Sequence, residues 1–348
     1  MLGIGLPLRA QDRATVRGAV VAAETGERIP YALVVLEPRF SQRFADDAGA
    51  FVFLDVAPGE YHLLVRQVGF RPFDTTLTVA SATPPLRIEL ARIAVELSSI
   101  TVAAAGQCRS AGRPDPVADR QMATIFEQLA LNAQRQAVLL DRYPFRYQVI
   151  RTMSDQVRPS HFSAGQPLAR APRNRVDTLN LSSSARWPYA PGRVVAEGPQ
   201  IGGNRTRDVH LPVLADLADS LFQAWHCFSY AGTERVDGRT LIRLDFKAAE
   251  QLREPDVNGS AWLDPGSYQV LQVRVELTKV TRAAPGVSAW VASSTFREIL
   301  PNVTVTDRMS ATTTMEPTFG SDLLGRSEAQ QLVNVMFMGA RPGTETSP

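Results

Sequence analysis

Hydrophobic and polar residues alternate with a period of two in short runs along the first hundred residues of the chain. Short runs of strand-forming residues, each followed by turn residues such as Gly, Pro or Asp, lie at residues 16–22, 31–36, 51–54, 61–65, 73–79, 86–90 and 97–102. Runs at this spacing are typical of an antiparallel β-sandwich. We therefore predict a mainly β chain that begins with a sandwich over residues 12–104.

The order of turn and strand residues in this stretch adds specificity to the alternation. The motifs Gly49-Ala-Phe51-Val-Phe53 and Pro58-Gly59-Glu-Tyr61, with flanking matches over nearly all of residues 15–102, resemble the carboxypeptidase regulatory-like domain. The resemblance implies a transthyretin-like (prealbumin-like) sandwich that serves as a non-catalytic accessory module, usually in exported proteins. The side chains expected between its two sheets are Phe51, Phe53, Tyr61 and Leu63.

A different pattern begins after a linker at residues 105–114. Apolar residues recur at steps of three and four over residues 117–141, which predicts one amphipathic helix of about seven turns. Asp115 followed by Pro116 is typical of a helix start. The opposite, solvated face is expected to carry Arg120, Glu127, Arg135 and Asp141. A shorter helix is predicted over residues 211–222.

Strand patterns return after these helices. Residues 154–175 read as a long loop, and Asp237-Gly238 between two strand-like runs is a strong hairpin signal. Further turns at residues 264–266 and 301–302 separate long alternating runs, and a last strand is expected at residues 332–338. We predict a second domain over residues 115–342, built from one long helix and a curved antiparallel meander.

The second domain also resembles a known family, through Gly259-Ser-Ala-Trp262-Leu-Asp264 and the order of its elements. Both are similar to the half-barrel of lipoprotein-carrier proteins, the LolA-like fold. The resemblance implies a concave apolar face, covered by helices, that holds acyl chains. Residues that would line such a face are Trp262, Val273, Val275, Leu277, Trp290 and Phe296. The same alternation fits an ordinary packed core equally well.

Composition and charge restrict the environment of the protein. The 348 residues are 44% hydrophobic, with a net charge of +2, so bulk electrostatics gives no argument for nucleic acid. No run reaches the roughly 18 uncharged apolar residues of a membrane-spanning helix. Residues 1–11 read as the remnant of a signal peptide. We therefore expect an exported protein that is periplasmic, associated with the outer membrane or extracellular.

Candidate chemistry is sparse. Cys108 and Cys227 invite one disulfide in an exported protein, although their spacing alone does not show that they meet. His226 precedes Cys227 directly, which does not place a base against a thiol. Zinc and serine-hydrolase motifs are missing from the sequence. We expect no catalysis, no metal and no cofactor.

The leading hypothesis is therefore non-catalytic binding at the cell envelope. The sandwich would act as a docking module, while the second domain holds a lipid or an envelope protein. The alternative is a carbohydrate-binding accessory protein, in which exposed aromatic residues stack on polysaccharide; the candidates are Phe40, Phe44, Phe70 and Phe73.

Two clusters of charged residues can each be interpreted as a binding site or as a solvated surface. Arg170, Arg173 and Arg175 can contact phosphate or lipid headgroups, or simply form a solvated loop. Asp216 and Asp219 can hold a cation or form a solvated helix face.

Overall fold

The chain is mainly β, as predicted. The computed structural model describes residues 13–38, 41–93, 108–157, 160–161, 167–168, 173–185, 187–201, 204–316 and 323–339. The predictions for residues 1–11, residues 97–102, Phe40 and Arg170 fall outside these ranges. The structure divides the chain into two units, Met1–Val95 and Glu96–Pro348.

The first unit contains two sheets. Its strands are β1 (Ala14–Ala22), β2 (Leu33–Glu37), β3 (Ser41–Phe44), β4 (Ala50–Val56), β5 (Gly59–Arg66), β6 (Phe73–Val79) and β7 (Leu86–Leu90). One sheet has the order β4-β1-β7 and the other β3-β2-β5-β6. All neighbours are antiparallel except β1 and β7, which are parallel.

The alternating apolar residues of both sheets share one core. Phe51 and Phe53 of the first sheet and Tyr61 and Leu63 of the second all belong to it, as predicted. The Tyr61 hydroxyl, the polar end of this aromatic, donates to the carbonyl of Ala57 at 2.9 Å. The period of two therefore places one face of each strand inside the sandwich.

The turn before β4 shows why the motif has a glycine there. Gly49 has φ +72°, and a Cβ on it would lie 3.0 Å from the carbonyl oxygens of Val20 and Ile29. Asp46 closes the turn through its Oδ1 atom, which accepts from the Ala48 and Ala50 amides at 3.0 and 2.7 Å. Position 49 thus requires both a left-handed backbone and the absence of a side chain.

The second unit is built on a nine-stranded antiparallel sheet with the order β11-β8-β20-β19-β18-β17-β16-β15-β14. Its strands are β8 (Phe145–Val157), β11 (Arg173–Ser182), β14 (His226–Val236), β15 (Arg239–Ala248), β16 (Val257–Leu263), β17 (Val270–Leu277), β18 (Val287–Leu300), β19 (Val303–Met315) and β20 (Leu323–Phe337). The remaining elements are α1 (Arg120–Arg142), β9 (Ser160–His161), β10 (Pro167–Leu168), β12 (Val195–Ile201), β13 (Asn204–Val209), α2 (Leu214–Ala218), α3 (Ser220–Ala224) and α4 (Val280–Ala283).

The predicted hairpins form. Asp237 and Gly238 have φ of +48° and +80°, the left-handed pair that a two-residue turn requires to match strand twist. The strands are longer than predicted: β8 continues to Val157 and β11 begins at Arg173. The predicted loop over residues 154–175 therefore includes the ends of two paired strands.

The long helix begins later than predicted. Its N-cap is Asp119, whose Oδ1 accepts from the Met122 amide at 3.0 Å. Asp115 caps only the preceding turn, by accepting from the Val117 amide. Arg135 was expected on the solvated face but is 3% exposed, because the elements around α1 enclose more of its circumference than the apolar stripe indicates.

The predicted helix over residues 211–222 is instead two short helices, α2 and α3. Asp219 interrupts them with an extended backbone, φ −73° and ψ 131°. Its side chain then caps α3 by accepting from the Leu221 amide at 2.6 Å. An aspartate at this position favours a new helix start over continuation.

Cys108 and Cys227 form a disulfide with a Cα–Cα distance of 5.5 Å and a sequence separation of 119 residues. The bond joins the segment before α1 to strand β14. The Cys108 carbonyl also accepts from the Glu250 amide at 3.1 Å, which places this segment beside the end of β15.

We predict that Gly49→Ala destabilises the first unit by about 2 kcal/mol, because it adds a steric conflict to a left-handed backbone. Gly26→Ala is the matched control: its φ is +69°, but the nearest atom to its Cβ would be 3.7 Å away, so about 1 kcal/mol is expected. Hydrogen exchange of the β1 and β4 amides measures both changes. Equal effects of the two variants would contradict the steric argument.

Candidate functional site: the concave face of the large sheet

The helices identify which face of the nine-stranded sheet is covered. The Phe126 ring of α1 meets Phe228 with centroids 4.9 Å apart, and Phe222 of α3 meets Phe246 at 5.5 Å. Phe228 and Phe246 are directly opposite each other on β14 and β15 and so share one face. We call this covered face the inner face.

Amide side chains fix α1 above the inner face. Asn132, which is fully buried, donates from Nδ2 to the carbonyls of Ser267 and Tyr268 at 3.0 and 2.9 Å. Gln136 donates to the carbonyl of Thr304 at 3.2 Å. These bonds satisfy backbone groups in the β16–β17 turn and at the start of β19, so the position of the helix is specified by polar contacts as well as packing.

A cavity of about 480 Å³ lies between α1, the inner face and a cover formed by residues 182–185, 187–189 and 210–219. Its apolar and aromatic lining includes Ala133, Ala137, Leu140, Phe145, Tyr147, Trp187, Tyr189, Leu211, Val213, Leu214, Val270 and Phe296. The volume and the largely apolar lining are those of a small-molecule binding site.

A second cavity of about 480 Å³ adjoins the first along the inner face. The two share lining residues, among them Tyr147, Trp187, His210, Leu211 and Thr306. The second cavity extends over Val149, Leu179 and Met309 towards Arg151 and Glu328. Together the two cavities form one continuous depression, which we call the groove.

Five of the six residues predicted to line an apolar face lie on β17 or β18, but only two of them reach the groove. Phe296 lines the first cavity and Trp290 the second. Val273 and Val275 are each 1% exposed, within the packed core of the sheet. Leu277 is half-buried at the end of β17.

Gly259, from the motif that carried the resemblance, explains part of this packing. A Cβ on Gly259 would lie 2.8 Å from the Phe246 ring and 2.9 Å from Val275. The glycine therefore lets an aromatic ring and a valine close over the strand. In this part of the inner face the residues form core rather than cavity.

The prediction for Trp262 is corrected. Trp262 pairs with Gln272, whereas Ala261 pairs with Val273, so the indole projects from the outer face of the sheet. There its Nε1 donates to Glu234 at 2.9 Å, and the Arg243 guanidinium lies 5.6 Å from the ring. Because successive side chains point to opposite faces, the cross-strand register decides this placement.

A buried polar cluster, which no local sequence motif indicates, anchors the cover at Tyr189. The carboxylate of Asp256 accepts from the Tyr189 hydroxyl at 2.8 Å and from the Gly192 amide at 3.1 Å. His226 lies 3.4 Å from the same carboxylate. Neither His226 nor Asp256 is exposed to solvent. We call His226, Asp256 and Tyr189 the polar clamp.

His226 connects the clamp to α3. Its Nδ1 lies 2.9 Å from the Phe222 carbonyl and its Nε2 3.1 Å from the Val257 carbonyl. Each ring nitrogen therefore has a backbone carbonyl oxygen within hydrogen-bond distance. The Phe222 ring stacks on the imidazole with centroids 3.9 Å apart. Members of the clamp are separated by 30 residues or more, so no local spacing could have indicated them.

The electrostatics of the clamp favour an ionised Asp256. Burial acts to raise the pKa of this carboxyl, but the hydrogen bond and charge of His226, with the Gly192 and Val257 amides, hold the pKa below its usual value. Burial, followed by the charge of Asp256, raises the pKa of Tyr189. The tyrosine therefore stays a neutral donor that ties the cover to the carboxylate.

The other candidate residues, Asp216, Asp219 and Cys227, make structural contacts. The Asp216 carboxylate accepts from the Val213 amide at 2.8 Å and lies 3.0 Å from His210 Nε2. Asp219 caps α3. Cys227 is bonded to Cys108, so its sulfur is not a free nucleophile beside His226.

The aromatic candidates for sugar stacking are largely enclosed. Phe70 is 6% exposed and has the Arg92 guanidinium 4.9 Å from its ring centroid. Phe44 and Phe73 are half-buried. The expectation that Phe70 offers an open ring face is therefore wrong, because Phe70 belongs to the buried core of the first unit.

Arg175, one of the clustered arginines, lies in strand β11 rather than in a loop. Its guanidinium pairs with Asp177 at 2.8 Å. A carboxylate beside the guanidinium reduces its attraction for an external phosphate.

We predict that Asp256→Asn destabilises the second unit by about 3 kcal/mol at neutral pH, because it leaves the buried imidazole without its counter-charge. Tyr189→Phe, which removes one hydrogen bond, is expected to cost about 1 kcal/mol. Denaturant unfolding followed by tryptophan fluorescence reports this unit, since all four tryptophans, at 187, 225, 262 and 290, lie in it. The exposed Asp141→Asn is the control and should change little.

The loss of stability caused by Asp256→Asn is also expected to depend on pH. The pKa of Asp256 is lower in the folded than in the unfolded chain. Its ionised form therefore adds stability above the ordinary carboxyl pKa of about 4, and this contribution disappears as the pH falls through the folded-state pKa. The difference between wild type and Asp256→Asn should shrink on acidification. A constant difference from neutral pH to pH ~2, below the ordinary carboxyl range, would contradict the assignment.

Among the helices of the described residues, none combines the length and apolar character needed to cross a bilayer. A search of curated proteins gives no match. A search of solved structures finds similar chains, and the three described next share 9–12% sequence identity with this chain.

One similar structure is a domain assigned to outer membrane lipoprotein sorting from Vibrio parahaemolyticus, with 12% identity over 63% of this chain and 96% of that chain and a TM-score of 0.32. A LolA superfamily protein from Nitrosomonas europaea has 9% identity, coverage of 64% and 97%, and a TM-score of 0.29. A DUF1329 family protein from Desulfovibrio piger has 12% identity, coverage of 67% and 96%, and a TM-score of 0.29.

The comparison with protein families concerns the first unit. The matched segment runs from residue 15 to residue 91 and includes all seven strands of the two small sheets apart from the first residue of β1. It contains the motifs around Gly49 and Gly59 that carried the resemblance. Residues 15–91 thus match the carboxypeptidase regulatory-like domain.

Proposed function

We propose that the protein is an exported, non-catalytic binding protein of the cell envelope, whose second unit holds an apolar chain in the groove. The observation that carries this proposal is the continuous depression between α1, the cover and the inner face. An acyl chain of a lipid or of a lipidated protein is the occupant that fits its lining. Residues 15–91 would serve as the docking module.

The groove differs from the packed core beside it in the size of the side chains that cover the sheet. Around Gly259 the inner face is closed by Phe246 and Phe222, and Val275 is fully buried. Around Ala133 and Ala137, small side chains on α1 leave the space open. Apolar surface left open to water is unfavourable, at about 25 cal/mol per Å². A ligand chain that fills this space would recover that free energy.

The cover supports a small ligand over a large docked partner. Trp187, 38% exposed, and Tyr189 stand at the groove on a segment that the polar clamp anchors. A wall held in place by buried hydrogen bonds preorganises a site for a narrow occupant. An envelope protein that presents a bulky surface would have to displace this wall.

Export is supported by the disulfide between Cys108 and Cys227. Such bonds form and persist in oxidising compartments and are rare in the cytosol. The mass of the protein isolated from its own envelope fraction tests this part of the proposal. A mass lighter than the reduced chain by two hydrogens is expected, whereas free thiols would contradict export.

The groove is tested by filling it. Ala137→Trp places a large side chain in the first cavity, while Ala130→Trp puts the same side chain on the exposed surface of the same helix. With a fluorescent long-chain acyl probe, we expect Ala137→Trp to weaken binding at least about tenfold, the loss of 1.4 kcal/mol or more of apolar contact. Ala130→Trp should bind as the wild type does.

Two outcomes of this experiment would contradict the proposal. The wild-type protein could fail to bind the probe at all, or Ala137→Trp could bind it unchanged while both variants unfold at the same temperature as the wild type. Native mass spectrometry without detergent adds an independent reading, since an adduct of lipid size on the wild type should be missing from Ala137→Trp.

A further inference from the structure

The inner face changes character abruptly along three adjacent strands. On β11, β8 and β20, the cross-strand row Leu179–Val149–Leu332 is apolar. The next inward-facing row is Asp177–Arg151–Gln330. Because all three strands change in the same row, the groove has an apolar part and a charged part separated by one boundary.

The charged part is built of ion pairs rather than of single charges. Arg151 donates from Nη2 to Oε2 of Glu328 at 2.8 Å, and its Nε lies 2.8 Å from Oε1. Gln330 donates to Oε1 of the same carboxylate at 2.8 Å. The two charged side chains are 18% and 16% exposed and line the second cavity. This charge-assisted hydrogen bond lies where the apolar part of the groove ends.

Two further ion pairs, Arg326–Asp155 and Arg175–Asp177, lie on the same strands. Arg326 binds Asp155 through two contacts of 2.5 and 3.0 Å, and its pKa is raised, chiefly by the hydrogen bond to Asp155. Arg175 binds Asp177. On the described inner face of these strands, three arginines thus face three carboxylates within pairing distance.

The opposite wall of the second cavity follows the same rule. Arg207 and Asp208 of β13 contribute one charge of each sign. Asp307, also at the lining, lies 3.3 Å from Arg297. The polar part of the groove therefore offers groups that pair with either sign of charge.

We propose that the groove binds an amphiphile with a zwitterionic headgroup, whose apolar chain lies under α1 and whose headgroup lies over the Arg151–Glu328 pair. This inference rests on the proposed function and adds the class of ligand. Along β8, the strand rise of about 3.4 Å per residue puts the Arg151 row roughly 20 Å from Phe145, which gives room for an acyl chain.

Charge complementarity decides between headgroups. An anionic headgroup over Arg151 would lie beside Glu328, and like charges brought together in a partly desolvated site are strongly disfavoured. A zwitterion presents its anion to the guanidinium and its cation to the carboxylate, so neither protein charge loses its partner. A fatty acid has the chain but lacks the cation.

Matched lipids test the headgroup. Lysophosphatidylcholine and lysophosphatidylglycerol with the same acyl chain, both below their critical micelle concentrations, differ in the net charge of the headgroup. Isothermal titration with the full chain should give tighter binding of lysophosphatidylcholine by about tenfold. Glu328→Gln should reverse or abolish this preference, because it leaves Arg151 as a net positive charge.

Two further variants keep the test decisive if Glu328→Gln folds poorly. The double variant Arg151→Gln/Glu328→Gln removes both charges together and should bind the two lipids about equally. Glu276→Gln removes a carboxylate from the outer face of β17 and should leave the preference intact. Melting temperatures of all variants identify any loss of fold.

The outcomes separate this inference from the proposed function. If wild type binds both lipids equally well, or prefers lysophosphatidylglycerol, and Ala137→Trp still abolishes binding, the groove holds acyl chains but the headgroup proposal is overturned. If neither lipid nor the acyl probe binds, the proposed function itself has failed.

Discussion

The second unit depends on one constraint: a single long helix has to cover the apolar face of nine strands. The helix α1 has 23 residues and is therefore about 34 Å long, but only about 10 Å wide. Nine strands at about 4.8 Å spacing form a sheet roughly 38 Å across. One helix cannot shield this area from water. The short helices α2 and α3 and the segment around Trp187 cover part of the remaining area, and the groove is the part that stays open.

Different interactions fix the two ends of this arrangement. Near β14 and β15, aromatic packing and the polar clamp close the face completely, with His226 and Asp256 bridging α3 and the cover. Near β8 and β20, the groove lies over the face, whose inward rows pass from Val149 to Arg151. The same sheet thus provides a rigid, sealed core at one side and a lined, accessible depression at the other.

Much of this architecture could be predicted from the sequence. Alternation and turn chemistry predicted the sandwich, the hairpin at Asp237-Gly238 and the meander, because these signals are local and act within a few residues. The helix was placed correctly except for its start, where Asp115 and Asp119 both offer a cap. The groove was predicted only as one of two alternatives, since Val275 and Trp290 alternate alike whether they form core or cavity.

The sequence by itself determined the β class, the positions of the turns and the period of the long helix, since each depends on residues close in the chain. Tertiary structure alone decided which face each strand residue occupies. Trp262 went to the outer face because of the register between β16 and β17, and Arg151 found Glu328 across 177 residues. Register and long-range pairing are set by the whole sheet, because a shift of one residue exchanges the two faces of a strand.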